Sequence, residues 1–409
     1  MSDWFGLLRP AYSLRVHVPA RAARVLLKAM LTAPGRVAIT PHEVDPGTGL
    51  QSVTIDTDGP LTHHQVRALL QDRLGEDLVH LSDPALITAA TGKVTQRLCV
   101  PTGDARDLAL LDSDADHRVI THLMANPDDI DDCSGRRRRV ALLSNATAVL
   151  DMGPLPAALV LPALESTAVH LRRATGLDIH PMPIDAATPE EFAATARALA
   201  PGFAAICLAH THPVHTAAVR TALRDSHTPV VDAAGAHTIA TLAASVNALR
   251  RRGLAVAEAT VVLAGAHLAG DLVGLLQAVG LGELILYDQA TADADGLAGA
   301  ADLIIDLTGH LPAPPDGTPV LRACPQEPPP LYSTPRRPHP LHVLPSLLTA
   351  AARGASPSTD TLVAAARTLA ALAGDDQLLP PIDGPGLAQA LTASLVGAET
   401  GHGPAAGMR

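Results

Sequence analysis

A short turn in the last third of the chain carries the clearest chemical signal. It reads Gly265-Ala-His-Leu-Ala-Gly270 and lies between a β-branched run and an apolar-periodic helix, after which a second strand ends in Asp288. This order is typical of a dinucleotide-binding βαβ unit. The candidate NAD-binding residues are Gly265, Ala266, His267, Gly270 and Asp288. Because His267 replaces the middle glycine of G-x-G-x-x-G, two alternatives stay open: a turn that still holds NAD, and a packed βαβ unit without a ligand.

Two polar clusters could also carry chemistry. The first contains Asp112, Asp114, Asp116 and His117, and is either a general base or an exposed acidic turn. The second, His210-Thr-His-Pro-Val-His215, follows an apolar strand and is either a site for a soft metal such as Zn²⁺ or a solvated loop. Neither cluster by itself supplies a fixed set of ligands.

Composition restricts the class of protein. The net charge of −11 argues against nucleic-acid binding, and the four scattered cysteines favour reduced thiols over a disulfide framework. We expect no signal peptide and no membrane span, and therefore a cytoplasmic protein. Only two lysines, Lys28 and Lys93, and three tyrosines are present, so a mechanism that needs either side chain has few candidates.

The apolar periodicity predicts an α/β protein with three domains and a tail. Residues 10–85 follow the order βαββαβ of a ferredoxin-like sandwich, the layout of ACT-type regulatory domains. Residues 86–250 alternate helix and strand after a connector at 83–105, which predicts a parallel sheet. Residues 251–399 continue as a Rossmann-type domain with C-terminal helices. The Gly- and Pro-rich residues 400–409 are expected to be a disordered tail.

From about residue 12 to 395 the chain resembles bacterial NAD-dependent malic enzymes that carry an N-terminal ACT-like domain. The phrases that carry the resemblance are Ala146-Thr-Ala-Val-Leu150, Leu161-Pro-Ala-Leu-Glu165, Gly176-Leu-Asp-Ile-His-Pro181, Ala200-Pro-Gly-Phe203, Asn247-Ala-Leu249 and the unit from Gly265 to Asp288. The resemblance implies oxidation of malate by hydride transfer to NAD and decarboxylation of the keto acid on Mg²⁺ or Mn²⁺. It also implies a malic-enzyme type of α/β core at 86–250 and a homo-oligomer, most simply a dimer.

The residues that the family uses for this chemistry are replaced here. By resemblance, Asp112 stands at the position of the catalytic tyrosine and Thr167 at that of the lysine. Ala209 and His210 stand where the family has a metal-binding Glu-Asp pair. Asp232 matches one aspartate of the motif that supplies the third metal ligand, whereas the neighbouring Ala233 stands at the ligand position, and Cys324 replaces a substrate-binding asparagine.

Three hypotheses follow from these replacements. In the first, the chain is a catalytically impaired or inactive relative with a regulatory, scaffold or partner-binding role, for which NAD remains an open cofactor and a divalent metal is not expected. In the second, it is an enzyme with altered chemistry that uses the two polar clusters. The third is ordinary malic enzyme activity. An open cleft between the domains would favour the second hypothesis, and a filled one the first.

Overall fold

The computed structural model describes residues 9–149, 152–287, 301–312, 314, 317–325 and 337–396. Two of our predictions, Asp288 and the tail at 400–409, lie outside these ranges. The chain forms two compact units, Met1–Thr95 and Gln96–Arg409. No helix in the described ranges combines the length and apolarity that a membrane span requires.

The N-terminal unit has the predicted βαββαβ order. Its elements are β1 (Arg9–Pro19), α1 (Ala23–Leu31), β2 (Val37–Val44), β3 (Leu50–Thr57), α2 (Pro60–Leu74), β4 (His80–Ser82) and α3 (Pro84–Ala90). The strands pair antiparallel in the order β2-β3-β1-β4. Because side chains alternate along β1, Leu14, Val16 and Val18 all face the helices and are fully buried. The unit is therefore a ferredoxin-like α+β sandwich.

The larger unit contains two parallel sheets. It begins with two helices, α4 (Ala105–Ala109) and α5 (Ser113–Ala125). The strands of the first sheet and the helices that connect them then follow in the order β5 (Arg139–Ser144), α6 (Leu161–Thr175), β6 (Asp178–Pro183), α7 (Pro189–Leu199), β7 (Ala205–Leu208), α8 (Pro213–Ala222) and β8 (Val230–Asp232). Its strand order is β6-β5-β7-β8. The mixed α/β class with parallel sheets is as predicted from the sequence.

The second sheet follows a long helix, α9 (Ala233–Arg251), which is buried along most of its length. Its elements are β9 (Thr260–Ala264), α10 (Leu272–Ala278), β10 (Glu283–Tyr287), β11 (Leu303–Asp306) and β12 (Val320–Arg322). The order β10-β9-β11-β12 places the first strand between the second and the third, so the direction of winding reverses beside β9. Open α/β sheets bind ligands in the crevice at such a switch point.

Two C-terminal helices, α11 (Leu344–Ala351) and α12 (Thr359–Ala371), return to α9, and α13 (Leu387–Val396) packs on both of them. Asn247 fixes this contact, because its buried amide donates hydrogen bonds to the carbonyl oxygens of Ala370 at 2.9 Å and Leu378 at 2.8 Å. The α9 helix is thereby held to the C-terminal helices as well as to both sheets that it connects.

Local structure differs from the sequence-based prediction at two places. The connector predicted at 83–105 begins with helix α3, because Asp83 caps it by accepting a hydrogen bond from the N–H of Ala85 and Pro84 fits the first helical turn. Strand β6 was not predicted, since it contains Pro181 and Pro183. It lies at the edge of its sheet, where a residue without an N–H is tolerated.

Candidate functional site

The carboxyl ends of both parallel sheets contribute to one cavity of about 400 Å³. The first sheet supplies the residues after β7 and β8, helix α6 forms another wall, and the second sheet supplies Leu268 after β9 and Pro325 after β12. The segment from His339 to Leu344 completes the lining. The space is neither filled by side chains nor closed, so the larger unit retains a ligand-sized cavity.

Two residues beside the cavity hold a backbone conformation that side chains disfavour. Ala146, after β5, has φ of 55° and His210, after β7, has φ of 53°. Their loops are bonded together, because the carbonyl oxygen of His210 accepts from the N–H of Ala148 and the hydroxyl of Ser144, both at 3.2 Å. Strained residues held in this way cluster at functional sites. The switch point of the first sheet is therefore shaped around the cavity.

Asp232 lies at the end of β8 and is the carboxylate among the residues that line the cavity. One of its oxygens accepts a hydrogen bond from the N–H of Gly235 at 2.7 Å, which caps α9. The other oxygen pairs with the guanidinium of Arg220, whose second nitrogen lies 3.4 Å from Asp271. Both oxygens of Asp232 are thus engaged inside the protein.

Three imidazoles line the cavity: those of His170, His210 and His339. Burial lowers the pKa of His210, and burial together with Arg173 lowers the pKa of His170. The pKa of His339 falls to about 3, chiefly because of burial and then because of the neighbouring His342, His237 and His170. Burial opposes the charged form of an imidazole, so these rings are neutral at pH 7.

The structure separates the positions singled out by the resemblance. Thr167, Ala209, His210, Asp232 and Ala233 all line the cavity. Asp112 does not line it; the residue is exposed and caps α5 by accepting a hydrogen bond from the N–H of Ser113 at 2.6 Å. The acidic cluster around Asp112 is thus the first turn of an exposed helix, where carboxylates are favourable. Cys324 is partly buried, and its neighbour Pro325 lines the cavity.

The turn from Gly265 to Gly270 keeps part of the conformation of a dinucleotide-binding loop. Gly265 has φ of 82°, and a Cβ there would lie 2.8 Å from the methyl group of Thr308, so only glycine fits. Ala266, His267 and Leu268 form a 3₁₀ turn in which the ring of His267 is exposed. The imidazole in the middle-glycine position therefore points to solvent and does not occupy the cavity.

The described residues supply a full set of ligands neither for Mg²⁺ or Mn²⁺ nor for the pyrophosphate of NAD. Mg²⁺ and Mn²⁺ prefer several carboxylate oxygens, whereas the cavity offers Asp232, which is already paired. Within the described part of the chain, no three His, Cys, Asp or Glu residues are placed to share an ion. Helix α10 has seven residues and begins after Asp271, a carboxylate that opposes a pyrophosphate at this end. The residues do not fit the divalent ion, and they supply only the turn of a dinucleotide site.

The histidines from His210 to His215 do not converge. His210 lines the cavity, whereas His212 is exposed and caps α8 by accepting a hydrogen bond from the N–H of Val214 at 3.3 Å. The ring of His215 instead contacts the amide of Asn145 at 2.8 Å. The zinc alternative for this cluster therefore has no geometric support in the structure.

Three residues of the site were not found from the sequence: Arg220, His170 and His339. Arg220 is one of many arginines, and nothing in its sequence neighbourhood marks it as the partner of Asp232. His170 lies one helical turn after Thr167, so its position on the same face of α6 could have been inferred from the spacing. His339 reaches the cavity only through the return of the C-terminal segment, which spacing does not reveal.

The fold and the cavity together define a class: a two-sheet α/β protein with a Rossmann-type half and a ligand cavity at the carboxyl edges of the strands. No protein-family model matches the chain. It is 32% identical over 180 residues to the NAD-dependent malic enzyme of Rhizobium meliloti, a match that covers 44% of this chain and 23% of that protein. It is 24% identical over 311 residues to NAD-dependent malic enzyme 1 of Bacillus subtilis, which covers 71% of each.

Solved malic enzymes share the fold. The NAD-dependent malic enzyme of Thermotoga maritima superposes with a TM-score of 0.69 at 17% identity, over 77% of this chain and 99% of that one. The malic enzyme of Entamoeba histolytica superposes with a TM-score of 0.68 at 18% identity, over 76% of this chain and 79% of the other. The chain is malic-enzyme-like in sequence and in fold.

Proposed function

We propose that this chain is a divergent member of the malic enzyme family that does not catalyse the oxidative decarboxylation of malate and has a regulatory or scaffold role. The observation that carries the proposal is the cavity itself, which keeps its place at the strand ends but not its chemical groups. Thr167, Ala209 and Ala233 line it, and Asp232 is neutralised by Arg220. The resemblance assigns these positions to a lysine and to metal ligands.

The groups that remain are poorly suited to the reaction. Taking the proton from the C2 hydroxyl of malate needs a base whose pKa is near the working pH. His339, with a pKa of about 3, is a weak base, and burial lowers the pKa of His170 and His210 as well. Thr167 donates its hydroxyl to the carbonyl oxygen of Ala163 at 3.0 Å, so it does not replace an amine.

We expect no NADH to form when the purified protein is incubated with L-malate, Mn²⁺ and NAD, as followed by absorbance. The B. subtilis enzyme in the same mixture is the positive control for the assay. Titration with NAD in a calorimeter then tests the cofactor site separately, and we expect weak binding because Asp271 stands at the start of α10. Robust turnover that is lost in Asp232→Asn would contradict the proposal.

A second candidate function, an enzyme with altered chemistry, is favoured by the open cavity and its three imidazoles. The residues Asp112 to His117 do not support it, because they lie on an exposed helix outside the cavity lining. Proton NMR of the same incubation distinguishes this candidate from the first. Conversion of L-malate or oxaloacetate that disappears in His210→Asn would favour altered chemistry over a regulatory role.

We also propose that the chain forms homodimers and that its N-terminal unit is ACT-like. The βαββαβ order and the strand order β2-β3-β1-β4 support the ACT-like assignment. The dimer is supported by helix α5, which has no buried residue and exposes the apolar side chains of Val119, Ile120 and Met124. Apolar surface of this kind marks protein interfaces.

Ile120→Glu is therefore expected to convert the dimer to a monomer, because a carboxylate would be buried in an apolar interface. Light scattering coupled to size-exclusion chromatography measures the molar mass. Arg118→Glu, on the opposite side of α5, is the matched control and should leave the mass unchanged. A wild-type protein that elutes as a monomer would rule out the dimer.

A further inference from the structure

The walls of the cavity are mainly apolar. Helix α6 contributes Ala163, the loop after β7 contributes Ala209, and the first residue of α8 is Pro213. The far side is formed by Leu268, Leu341 and Leu344. A volume of about 400 Å³ lies in the range of pockets that hold small organic ligands. The surface that such a ligand would meet is hydrocarbon interrupted by a few polar groups.

The cavity does not provide a charge that could compensate an ionised ligand. Its lining includes no lysine, arginine or glutamate among the described residues, and the carboxylate of Asp232 is satisfied by Arg220 and Gly235. The three imidazoles are neutral at pH 7, as their lowered pKa values require. Burying a carboxylate without a partner costs several kcal/mol, so a dicarboxylate such as malate is disfavoured.

One hydrogen-bond donor of the cavity can be assigned from the bonds that its polar side chains already make. Thr167 and Thr211 already donate to the carbonyl oxygens of Ala163 and Ala209, each at 3.0 Å. In His339, Nδ1 accepts a hydrogen bond from the N–H of Leu341 at 3.0 Å, so a neutral ring carries its proton on Nε2. That N–H is a donor on the cavity wall, and its natural partner is an oxygen acceptor.

We propose that this cavity binds an uncharged, largely apolar molecule with a carbonyl or ether oxygen, which accepts a hydrogen bond from Nε2–H of His339. The assignment rests on the proposed loss of malate chemistry in the same cavity. It gives the regulatory role a chemical class of ligand: a small aromatic or aliphatic ketone, ester or ether.

Prodan, an uncharged naphthalene that carries a ketone, is the probe for the test, because its fluorescence reports binding directly. We expect saturable binding that L-malate does not displace. Ala163→Phe fills the cavity from α6 and should abolish binding, and Ala234→Phe does the same from α9 should the first variant fold poorly. Ala194→Phe, at an exposed position on α7, is the matched control and should bind like the wild type.

His339→Asn tests the hydrogen bond separately. Asparagine can still cap the N–H of Leu341, but it removes the imidazole donor. Loss of one hydrogen bond predicts prodan binding about three- to tenfold weaker, with no change for the analogue that lacks the propionyl group. Equal effects on both probes would overturn the role of His339.

Prodan binding that survives both cavity-filling variants, displacement of prodan by L-malate, or no saturable binding would overturn the ligand class. These results are distinguishable from failure of the proposed function. If no NADH forms and prodan does not bind, only the proposed class of ligand is wrong. NADH formation together with displacement by L-malate removes both proposals.

Discussion

Arg220→Leu is expected to lower the free energy of unfolding by about 3 kcal/mol, because it leaves the carboxylate of Asp232 buried without its cation. The side chain of Asp232 is 5% exposed, and Arg220 and Gly235 are its hydrogen-bond partners. Removal of one partner of a buried pair costs about 3–5 kcal/mol, and the lower end applies because the side chain of Arg220 is 43% exposed. Urea unfolding at pH 7.5 measures the change.

The double variant Arg220→Leu with Asp232→Asn separates the buried charge from the lost packing. Asparagine keeps the cap on Gly235 and removes the charge, so the double variant should be more stable than Arg220→Leu alone. Arg172→Leu, which breaks the pair with Asp178 at the surface, is the control and should cost less than about 1 kcal/mol. Equal losses for Arg172→Leu and Arg220→Leu would show that Asp232 depends little on its partner.

This ion pair shows where the sequence was informative and where it was not. An aspartate before an alanine-rich helix is an N-cap signal, so the engagement of Asp232 with the N–H of Gly235 could have been predicted. The pairing with Arg220 depends on how α8 packs beside β8, which no local pattern specifies. Sequence alone thus indicates the cap that Asp232 makes on α9, whereas its pairing with Arg220 is visible only in the structure.

The strands were predictable where burial was continuous. Val140–Ser144 and the run after Val261 are buried apolar segments, and both form central strands, β5 and β9. The prolines of β6 concealed an edge strand, because the usual pattern penalises proline without knowing the position of the strand in the sheet. Local patterns thus predict the interior of a sheet better than its edges.

The polar side of the cavity was the hardest feature to predict. His170 and His339 are separated by most of the larger unit in sequence, and only the return of the C-terminal segment brings both to one cavity. The conspicuous clusters at Asp112 and His210 were easier to see, but most of their side chains cap helices or face solvent. The ends of the predicted strands therefore indicated the residues that line the cavity better than clusters of polar residues in the sequence did.

Lowering the pH from 7.5 to 5 is expected to destabilise the protein through two histidines behind the cavity, His237 and His342. They are 2% and 1% exposed, and burial is the main reason that the pKa of each falls to about 4. An unfolded histidine has a pKa of about 6.5, so between these values the unfolded state binds more protons. Stability therefore falls as the pH falls, by about 2 kcal/mol for each histidine at pH 5.

His237→Leu identifies one of these contributions. Among the residues that the structure describes, none bonds to the buried Nε2 of His237, so replacement of the imidazole by a side chain of similar size should not reduce stability at pH 7.5. The decrease in the free energy of unfolding between pH 7.5 and pH 5 should be about 2 kcal/mol smaller in this variant than in the wild type. His117→Leu, at an exposed position on α5, controls for removal of an imidazole as such.

The pH window makes this result specific to the histidines. Carboxylates titrate mainly below pH 5 in the unfolded chain, so they contribute little between pH 7.5 and 5. Urea unfolding at both pH values gives the two free energies, and the difference between them is the quantity to compare across variants. An undiminished pH effect in His237→Leu would mean that water reaches this imidazole in the folded protein.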